Sequence, residues 1–325
     1  MKLSIIIPMY NCEKTIKETI NSIIKQYRGT SIEVIVVDDG SLDNSYNTVN
    51  DCFSNIDFVR LLRKKNGGPS SARHYGAQHS KGEYLWFIDA GDKIIDGCLC
   101  EILAQLEKKE CDILVFDYLE MNGNNKLYRK QKNIDNDLTK SLLLNGVVPG
   151  MWTKIFKRNS KVISRFTEIE KIWIGEDLCF SIMASLESKN VLFIQKPYYI
   201  YIRDENSLTM KTNNPKDITV LDSIKQIKHS LETKGVFDHY KEEFEFMCFN
   251  RTLINHVLLS ENSIFFKDFI NFYNKQGFLL KNRYLKYGLL LKYITMIKAK
   301  LPFQNLISRI IRTITHIKDV VCTAL

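Results

Sequence analysis

The sequence lacks the patterns that mark several large classes of protein. Its eight cysteines form no CxxC pair, and no two of its six histidines stand four residues apart. Neither a zinc ribbon nor a His-based zinc site on a helix is therefore expected. Scattered cysteines of this kind are expected to be reduced thiols in a cytosolic compartment. No GxGxxG follows a predicted strand, which disfavours a Rossmann oxidoreductase.

Long apolar runs are also missing. No stretch of about 18 uncharged apolar residues occurs, so a membrane-spanning helix is not expected. The apolar residues 3–7 are followed at once by Pro8, Asn11 and Glu13, which favours a first strand over a secretory leader. Six prolines form no Pro-rich linker, and 45% apolar residues exclude wholesale disorder. A chain of 325 residues exceeds what one core usually holds, so about two domains are expected.

Acidic residues are scarce at the C-terminal end. Nine Lys or Arg residues and one acid, Asp319, lie beyond residue 280, whereas the rest of the chain is nearly neutral. An enzyme acting on nucleic acid would spread its positive charge over a binding face, so nucleic acid is not an expected partner. Over residues 303–321, apolar residues recur at helical spacing and form one stripe, and basic residues stand among the remaining positions. This pattern predicts an interfacial helix on an anionic membrane. The alternative is a helix that packs on the protein's own helical region.

Apolar runs of strand length alternate with helical periodicity over the first part of the chain. Such alternation predicts an α/β fold with a Rossmann-like, mostly parallel sheet flanked by helices. From residue 217 onward the periodicity is helical. Residues 120–136 are polar and rich in Asn and Lys, which favours a loop. Strands are expected at residues 3–8, 33–37, 57–62, 84–88, 111–118 and 190–202.

Two of these predicted strands end in acidic pairs. Residues 33–37 lead into Asp38 and Asp39, and residues 84–88 lead into Asp89 and Asp92. Parallel sheets bind their ligands beyond the carboxyl ends of the strands. The pairs therefore indicate a site for a cation, or for an anion carried on a divalent metal, and the metal is favoured. Acidic turns that cap the following helices are the alternative.

Short motifs in a fixed order carry a family resemblance. They comprise three strand ends, a Gly-rich loop leading into a helix, and a late Gly-Glu-Asp: Ile7-Pro8-Met9-Tyr10-Asn11, Val37-Asp38-Asp39-Gly40-Ser41, Asp89-Ala90-Gly91-Asp92, Asn66-Gly67-Gly68-Pro69-Ser70-Ser71-Ala72-Arg73 and Gly175-Glu176-Asp177. Together they resemble the inverting family 2 glycosyltransferases of GT-A fold, which build bacterial capsules, exopolysaccharides and lipopolysaccharide cores. The resemblance covers about residues 1–210.

The resemblance implies an enzyme that moves a sugar from a nucleoside-diphosphate donor, with UDP-sugars favoured, to a glycan or lipid-linked hydroxyl. It implies a GT-A catalytic domain over residues 1–212, then a helical region over 213–280 and the basic tail over 281–325. The expected partners are the donor, the acceptor and an anionic membrane surface. The expected location is cytoplasmic, peripheral on the inner face of the plasma membrane.

The resemblance also implies nucleotide-binding roles for individual residues. Asp39 is expected to accept a hydrogen bond from the uracil imide, with Tyr10 against the base and Pro8 shaping the turn. Arg73 is expected to bind the diphosphate, because a helix start and a guanidinium both favour phosphate. The other expected nucleotide-sugar contacts are Asn11, Asn66, Gly68, Asp89 and Arg203.

The catalytic expectations rest on carboxylates. Asp89 and Asp92 are expected to hold Mg²⁺ or Mn²⁺ at the diphosphate, although Gly91 replaces the acid that the family commonly has between them. Asp177 is expected to be the general base, since single-displacement inversion needs one base and no covalent nucleophile. Glu176 is the rival base. The alternative for both residues is a structural role, as acids in the first turn of a helix, where the helix dipole favours negative charge.

Two readings without transfer activity remain open. A degenerate transferase would bind a nucleotide-sugar without turning it over, and Gly91 supports this reading. A flavodoxin-like signalling module would also group acids at strand ends. Such a module keeps an acidic pair after its first strand, where this chain has Met9-Tyr10-Asn11. The sequence carries no signal for the donor sugar, the linkage or the oligomeric state.

Overall fold

The computed structural model describes residues 1–27, 29, 31–203, 219–251, 282 and 284. The chain divides into two compact units, Met1–Ser207 and Leu208–Leu325. The division into 1–212, 213–280 and 281–325 stays a prediction. Apart from residues 282 and 284, the predicted basic tail lies outside the described residues.

The first unit is built on a single sheet. Its strands are β1 (Leu3–Met9), β2 (Ile32–Asp38), β3 (Val59–Arg63), β4 (Tyr84–Phe87), β5 (Lys93–Ile94), β6 (Ile113–Asn122), β7 (Asn125–Arg129), β8 (Lys154–Lys157) and β9 (Val191–Ile202). The order across the sheet is β3-β2-β1-β4-β8-β6-β9-β5, and β7 pairs with the outer part of β6.

Helices connect and cover these strands. In the first unit they are α1 (Ile16–Ile24), α2 (Ser45–Phe53), α3 (Pro69–Gln78), α4 (Cys98–Lys108), α5 (Leu138–Leu143), α6 (Ser160–Ile169) and α7 (Glu176–Glu187). The described part of the second unit contains α8 (Thr219–Thr233) and α9 (Lys241–Phe249). None of the helices in the described ranges is long and apolar enough to cross a membrane.

The parallel half of the sheet brings three strand ends to one edge. β2 is buried throughout and β1 nearly so, because continuous Ile and Val runs suit strands that are covered on both faces. β1 lies between β2 and β4, and all three are parallel. The register pairs Met9 with Asp38 and Ile6 with Phe87. The predicted acidic strand ends therefore lie at a common edge.

The other half of the sheet is mixed. β8 runs antiparallel to both β4 and β6, whereas β9 is parallel to β6 and antiparallel to β5. Because β8 runs against β4, it begins at the edge where β4 ends, with Ile155 opposite Trp86. The segment before β8 is thereby delivered to the same edge as the acidic strand ends.

The loop predicted over residues 120–136 is wrong in its first part. β6 continues to Asn122, and Asn125–Arg129 returns beside it as β7. The polar composition suggested a loop because this ribbon is exposed and needs no apolar face. The signal for a hairpin was the Gly123-Asn124 dipeptide between the paired residues Asn122 and Asn125, since Gly at the first loop position favours a two-residue hairpin turn. Gly123 has a φ of 57°.

Candidate active site

The candidate site centres on the buried guanidinium of Arg73, on α3. Its Nη2 lies 2.8 Å from Asp89 Oδ1. Its Nη1 lies 3.2 Å from Asp177 Oδ1 and 3.7 Å from Glu176 Oε1. Only 5% of the Arg73 side chain is exposed. A strand end and a distant helix start thus contribute three carboxylates to one cation.

Close packing of α3 against the sheet fixes the position of Arg73. Gly76 lies one turn further along α3, where an added Cβ would come within 2.5 Å of the Ile6 Cγ2 atom on β1. Only glycine permits this approach of helix and strand. The small residues of the sequence motif therefore bring the guanidinium to the carboxyl edge of the sheet.

Aromatic packing fixes the position of the carboxylates on α7. The ring of Phe180 lies 6.2 Å from that of Phe87 on β4 and stacks at 4.3 Å on Phe166 of α6. Glu176 and Asp177 occupy the first turn of α7, where the helix dipole favours negative charge. The start of this helix is therefore held beside the end of β4.

Three carboxylates exceed the charge of one guanidinium, and the protonation of the cluster reflects this excess. Burial and the charge of Asp177 raise the pKa of Glu176 to about 8. Burial also raises the pKa of Asp177, against the opposing effects of Arg73, Lys154 and the Met151 backbone N–H. Burial alone would lower the pKa of Arg73, but the neighbouring carboxylates raise it above its usual value. The cluster can therefore accept either protons or a further cation.

Asp39 at the end of β2 holds the Gly-rich loop. Its carboxylate accepts hydrogen bonds from Lys64 Nζ at 2.8 Å, from the Gly67 N–H at 3.0 and 3.1 Å, and from the Gly68 N–H at 2.7 Å. A carboxylate offers about four lone-pair sites, so these contacts fill it. A uracil imide would have to replace one of them, and the uracil contact stays a prediction. Asn66, in the same loop, is exposed.

The loop after β1 carries Tyr10 and Asn11, two further predicted nucleotide contacts. Asn11 has a φ of 49°; its side-chain oxygen accepts from the Leu42 N–H at 2.8 Å, and its own N–H donates to Ser41 Oγ at 3.1 Å. Asn11 thus ties the loop after β1 to the loop after β2. The Tyr10 side chain is 47% exposed and accessible to a planar base. Pro8 lies within β1.

The two acids after β4 have different surroundings. Asp92 is buried, and its oxygens accept from the Tyr199 hydroxyl at 2.6 Å and the Ile202 N–H at 2.8 Å. Burial and the charge of Asp89 raise its pKa to about 7. Asp89 gives one oxygen to Arg73 and is 35% exposed. Asp92 therefore anchors the turn to β9, and Asp89 is the accessible carboxylate.

The accessible carboxylate fits a divalent metal that takes its other ligands from a substrate. Mg²⁺ commonly binds through one or two carboxylates together with phosphates and water. Within the described residues, no group of three or more His, Cys, Asp or Glu side chains could hold a metal ion. Asp89 could therefore ligate a metal that takes its remaining ligands from phosphate and water.

Arg203 lies at the end of β9. Its Nε is 2.8 Å from Glu120 Oε1, and 52% of its side chain is exposed. Glu120 also pairs with Arg129 of β7 at 2.7 Å. Among the described residues no ion pair joins Arg203 to the carboxylates around Arg73. Its predicted contact with a diphosphate stays a prediction.

Lys154, the first residue of β8, belongs to the site and was missed by the sequence reasoning. It is fully buried, and its charge influences Asp177. The signal was the spacing of two between Lys154 and Phe156, which places the lysine on the same face of β8 as a buried aromatic side chain. A charged residue at such a position has to be satisfied by the protein itself.

Gly68 joins the Gly-rich loop to the segment before α7. It has φ 88° and ψ 171°, a conformation that is essentially restricted to glycine. A Cβ there would come within 3.0–3.3 Å of the Trp173 ring. The loop held by Asp39 therefore packs directly against the residues that lead to Asp177.

Gly68→Ala is expected to destabilise the protein by about 3 kcal/mol, because backbone strain and overpacking each cost about 1–3 kcal/mol. Gly97→Ala is the matched control. Gly97 also has a positive φ, 82°, but no atom lies within 4 Å of an added Cβ, so about 1 kcal/mol is expected from the left-handed backbone alone. Urea unfolding compares the two variants. Equal losses would show that the Trp173 contact is unimportant.

A family model described as Glycosyl transferase family 2 matches residues 4–167, half of the chain. The chain is 28% identical over 216 residues to the uncharacterized glycosyltransferase EpsJ of Bacillus subtilis (strain 168), covering 64% of this chain and 62% of EpsJ. It is 27% identical over 223 residues to the poly(ribitol-phosphate) beta-N-acetylglucosaminyltransferase TarS of Staphylococcus aureus (strain MW2), covering 67% of this chain and 38% of TarS. The chain thus matches less than two thirds of either relative's length.

Solved structures of TarS residues 1–349 share the fold. The fragment alone gives a TM-score of 0.66 at 24% identity, covering 83% of this chain and 78% of that one. The fragment in complex with UDP gives 0.64 at 23% identity, covering 84% and 79%. The complex with UDP-GlcNAc gives 0.65 at 21% identity, with the same coverage. The predicted GT-A fold is confirmed.

Proposed function

Since this chain belongs to glycosyl transferase family 2, we propose that it transfers a sugar from a UDP-sugar to a hydroxyl of a cell-surface glycan or a lipid-linked acceptor, with inversion at the anomeric carbon. One observation carries the proposal. Arg73 gathers Asp89, from the end of β4, and Asp177, from the start of α7, at one buried point. A leaving-group site and a base are thereby placed side by side.

Asp177 is the proposed general base. Its Oδ1 is buried and makes no hydrogen bond to any described residue, although Arg73 Nη1 lies 3.2 Å away. The acceptor oxygen attacks the anomeric carbon and gives its proton to this carboxylate, while the bond from that carbon to the diphosphate oxygen breaks and UDP leaves. Attack from the face opposite the diphosphate inverts the anomeric centre.

Asp177 is preferred to Glu176 on geometry. Asp177 lies 3.2 Å from the guanidinium, whereas Glu176 lies 3.7 Å from it. The backbone N–H of Met151 also lowers the pKa of Asp177 and so favours its ionised form. A base has to be ionised before it can accept a proton. Glu176 is proposed to carry a proton that balances the charge of the cluster.

A divalent metal, Mg²⁺ or Mn²⁺, is proposed to bind with the donor at Asp89 and to neutralise the charge of the departing UDP. The partial exposure of Asp89 supports this assignment. The predicted contribution of Asp92 is less well supported, since both of its oxygens bind protein donors.

Removal of divalent metal with EDTA is expected to abolish UDP release, and added Mn²⁺ or Mg²⁺ to restore it. Asp89→Asn is expected to weaken metal-dependent UDP binding by about tenfold or more, because a neutral amide is a poor ligand for a hard cation. Asp92→Asn should instead lower stability by about 1–3 kcal/mol through its buried hydrogen bonds. Calorimetry with UDP and Mn²⁺ measures binding. If Asp92→Asn lost the metal dependence of UDP binding and Asp89→Asn kept it, Asp92 rather than Asp89 would be the metal ligand.

The proposed acceptor and location follow from the relatives and from the tail. TarS and the poly(ribitol-phosphate) beta-glucosyltransferase of Bacillus spizizenii, 29% identical over 239 residues, are named for a polymer acceptor. The basic C-terminal pattern supports attachment to the inner face of an anionic plasma membrane, where a lipid-linked acceptor would be accessible. This pattern falls almost wholly outside the described residues.

A panel of UDP-sugars with Mn²⁺ tests the function. UDP release that depends on an added glycan acceptor, with an inverted linkage in the product by NMR, is the expected result. Binding of UDP-sugars without release would favour the second candidate, a degenerate nucleotide-sugar-binding protein, which Gly91 between the two acids supports. Failure to bind any nucleotide-sugar would refute both.

A further inference from the structure

Lys154 is buried without a carboxylate in contact. Its Nζ lies 2.6 Å from the Val148 carbonyl oxygen, 2.9 Å from that of Gly150 and 3.3 Å from Thr153 Oγ1. A further carbonyl, that of Pro149, lies at 3.4 Å. No ion pair of Lys154 occurs among residues 1–203 as described. A buried ammonium is costly unless the protein satisfies it, so this arrangement calls for a physical reason.

The contacts of Lys154 favour its charged form. Every partner is an oxygen, and an ammonium offers three donors, whereas a neutral amine would turn a lone pair toward a carbonyl. Burial lowers the pKa of Lys154 to about 7, and the charge of Asp177 opposes this effect. In return, the charge of Lys154 opposes the raised pKa of Asp177. The two groups therefore stabilise each other's charge.

The turn that Lys154 binds leads directly to Asp177. Residues 148–150 precede Met151, whose backbone N–H lowers the pKa of the Asp177 carboxyl group. A second contact holds the same turn, because Ser181 Oγ donates to the Pro149 carbonyl at 2.9 Å. Ser181 lies one helical turn after Asp177 on α7. The turn is thus held both by the start of β8 and by α7.

We propose that Lys154 is a positioning residue for Asp177: its ammonium holds the turn at residues 148–150, and Ser181 ties that turn to the helix that carries the base. This inference rests on the proposed role of Asp177 in transfer. Lys154 does not contact the substrate in this account. Lys154 acts on Asp177 through the turn that leads to Met151 and through the electric field of its ammonium group.

Lys154→Met tests the inference, since methionine keeps the length of the side chain and removes its donors and charge. The rate of UDP release, kcat, from UDP-GlcNAc or UDP-glucose (whichever the wild type turns over) is expected to fall at least tenfold. The affinity for UDP with Mn²⁺ should stay within about twofold. The acid limb of the kcat–pH profile should move to higher pH, because Asp177 loses a neighbouring cation and becomes harder to ionise.

Two serines on α7 provide a matched pair in case Lys154→Met folds poorly. Ser181→Ala removes the second contact to the turn and should shift the same limb in the same direction by a smaller amount. Ser185→Ala removes a contact to Thr139 instead, at 2.7 Å, and should leave the limb unchanged. Identical profiles for the two serine variants would overturn the inference. So would parallel losses of kcat and UDP affinity in Lys154→Met.

Asp177→Asn, measured alongside, distinguishes a failure of the proposed base from a failure of the proposed role of Lys154. If Asp177→Asn retains transfer, the proposed base is wrong and the inference about Lys154 falls with it. If Asp177→Asn is inactive while Lys154→Met keeps the wild-type kcat and pH profile, only the role of Lys154 is wrong.

Discussion

Asp177→Asn is expected to lower the rate of sugar transfer by about 10²–10⁴-fold, the usual contribution of a general base. The amide is nearly isosteric with the carboxylate but cannot take the acceptor proton. Arg73 keeps Asp89 and Glu176 as partners in this variant, so the fold and the donor site should persist. The affinity for UDP with Mn²⁺ should therefore change little.

Glu176→Gln is the control for Asp177→Asn. It makes a similar change to the neighbouring carboxyl group, which lies further from the guanidinium. Its expected loss of rate is below about tenfold, because a group that carries a proton does not serve as the base. A larger loss in Glu176→Gln than in Asp177→Asn, each measured as acceptor-dependent UDP release, would exchange the roles of the two residues.

Arg73→Met is expected to destabilise the protein by about 3–5 kcal/mol at neutral pH, as breaking a buried ion pair does. Three partly buried carboxylates would then surround an apolar side chain. Arg203→Met is the matched control, since Arg203 is half exposed and its partner Glu120 keeps Arg129. Loss of that surface pair should cost no more than about 1 kcal/mol. Urea unfolding at pH 7 measures both variants.

The pH dependence gives Arg73→Met a second signature. In the wild type the pKa of Glu176 is raised from 4.5 to about 8 by burial, so its contribution to stability is present at low pH and is lost as pH rises through the folded-state pKa. Without Arg73 the folded-state pKa values of the cluster rise further. The deficit of the variant should therefore be smaller at pH 5 than at pH 8. A deficit that grows as pH falls would contradict the proposed charge balance.

The parallel strands could be predicted because their signal is local. The apolar runs of β2 and β4 end at acids and that of β1 ends before Tyr10 and Asn11, and a buried parallel strand needs little more than such a run. The edge at which Asp39 and Asp89 lie then follows from the direction of the strands. The short strands β5, β7 and β8 were not anticipated, because tertiary pairing defines them more than sequence pattern does.

The partners of the predicted site residues could not be read from the sequence. The resemblance named Asp39 and Asp92, but the amides of Gly67 and Gly68 fill one carboxylate, and Tyr199 with Ile202 occupies the other. Likewise, the three carboxylates beside Arg73 were not anticipated, and the contact of Arg73 with a diphosphate stays a prediction. Such contacts depend on where separate segments meet in space, which no local pattern specifies.

The central claim is that Asp89 and Asp177 flank one reaction centre organised by Arg73. A crystal structure of the protein with UDP and Mn²⁺, with data collected at the manganese absorption edge, tests it most directly. The account predicts an anomalous peak beside Asp89 that is shared with the diphosphate, with Asp177 facing open space on the far side of that group. Manganese and UDP bound away from Asp89, with Arg73 and its carboxylates enclosed by protein alone, would contradict it.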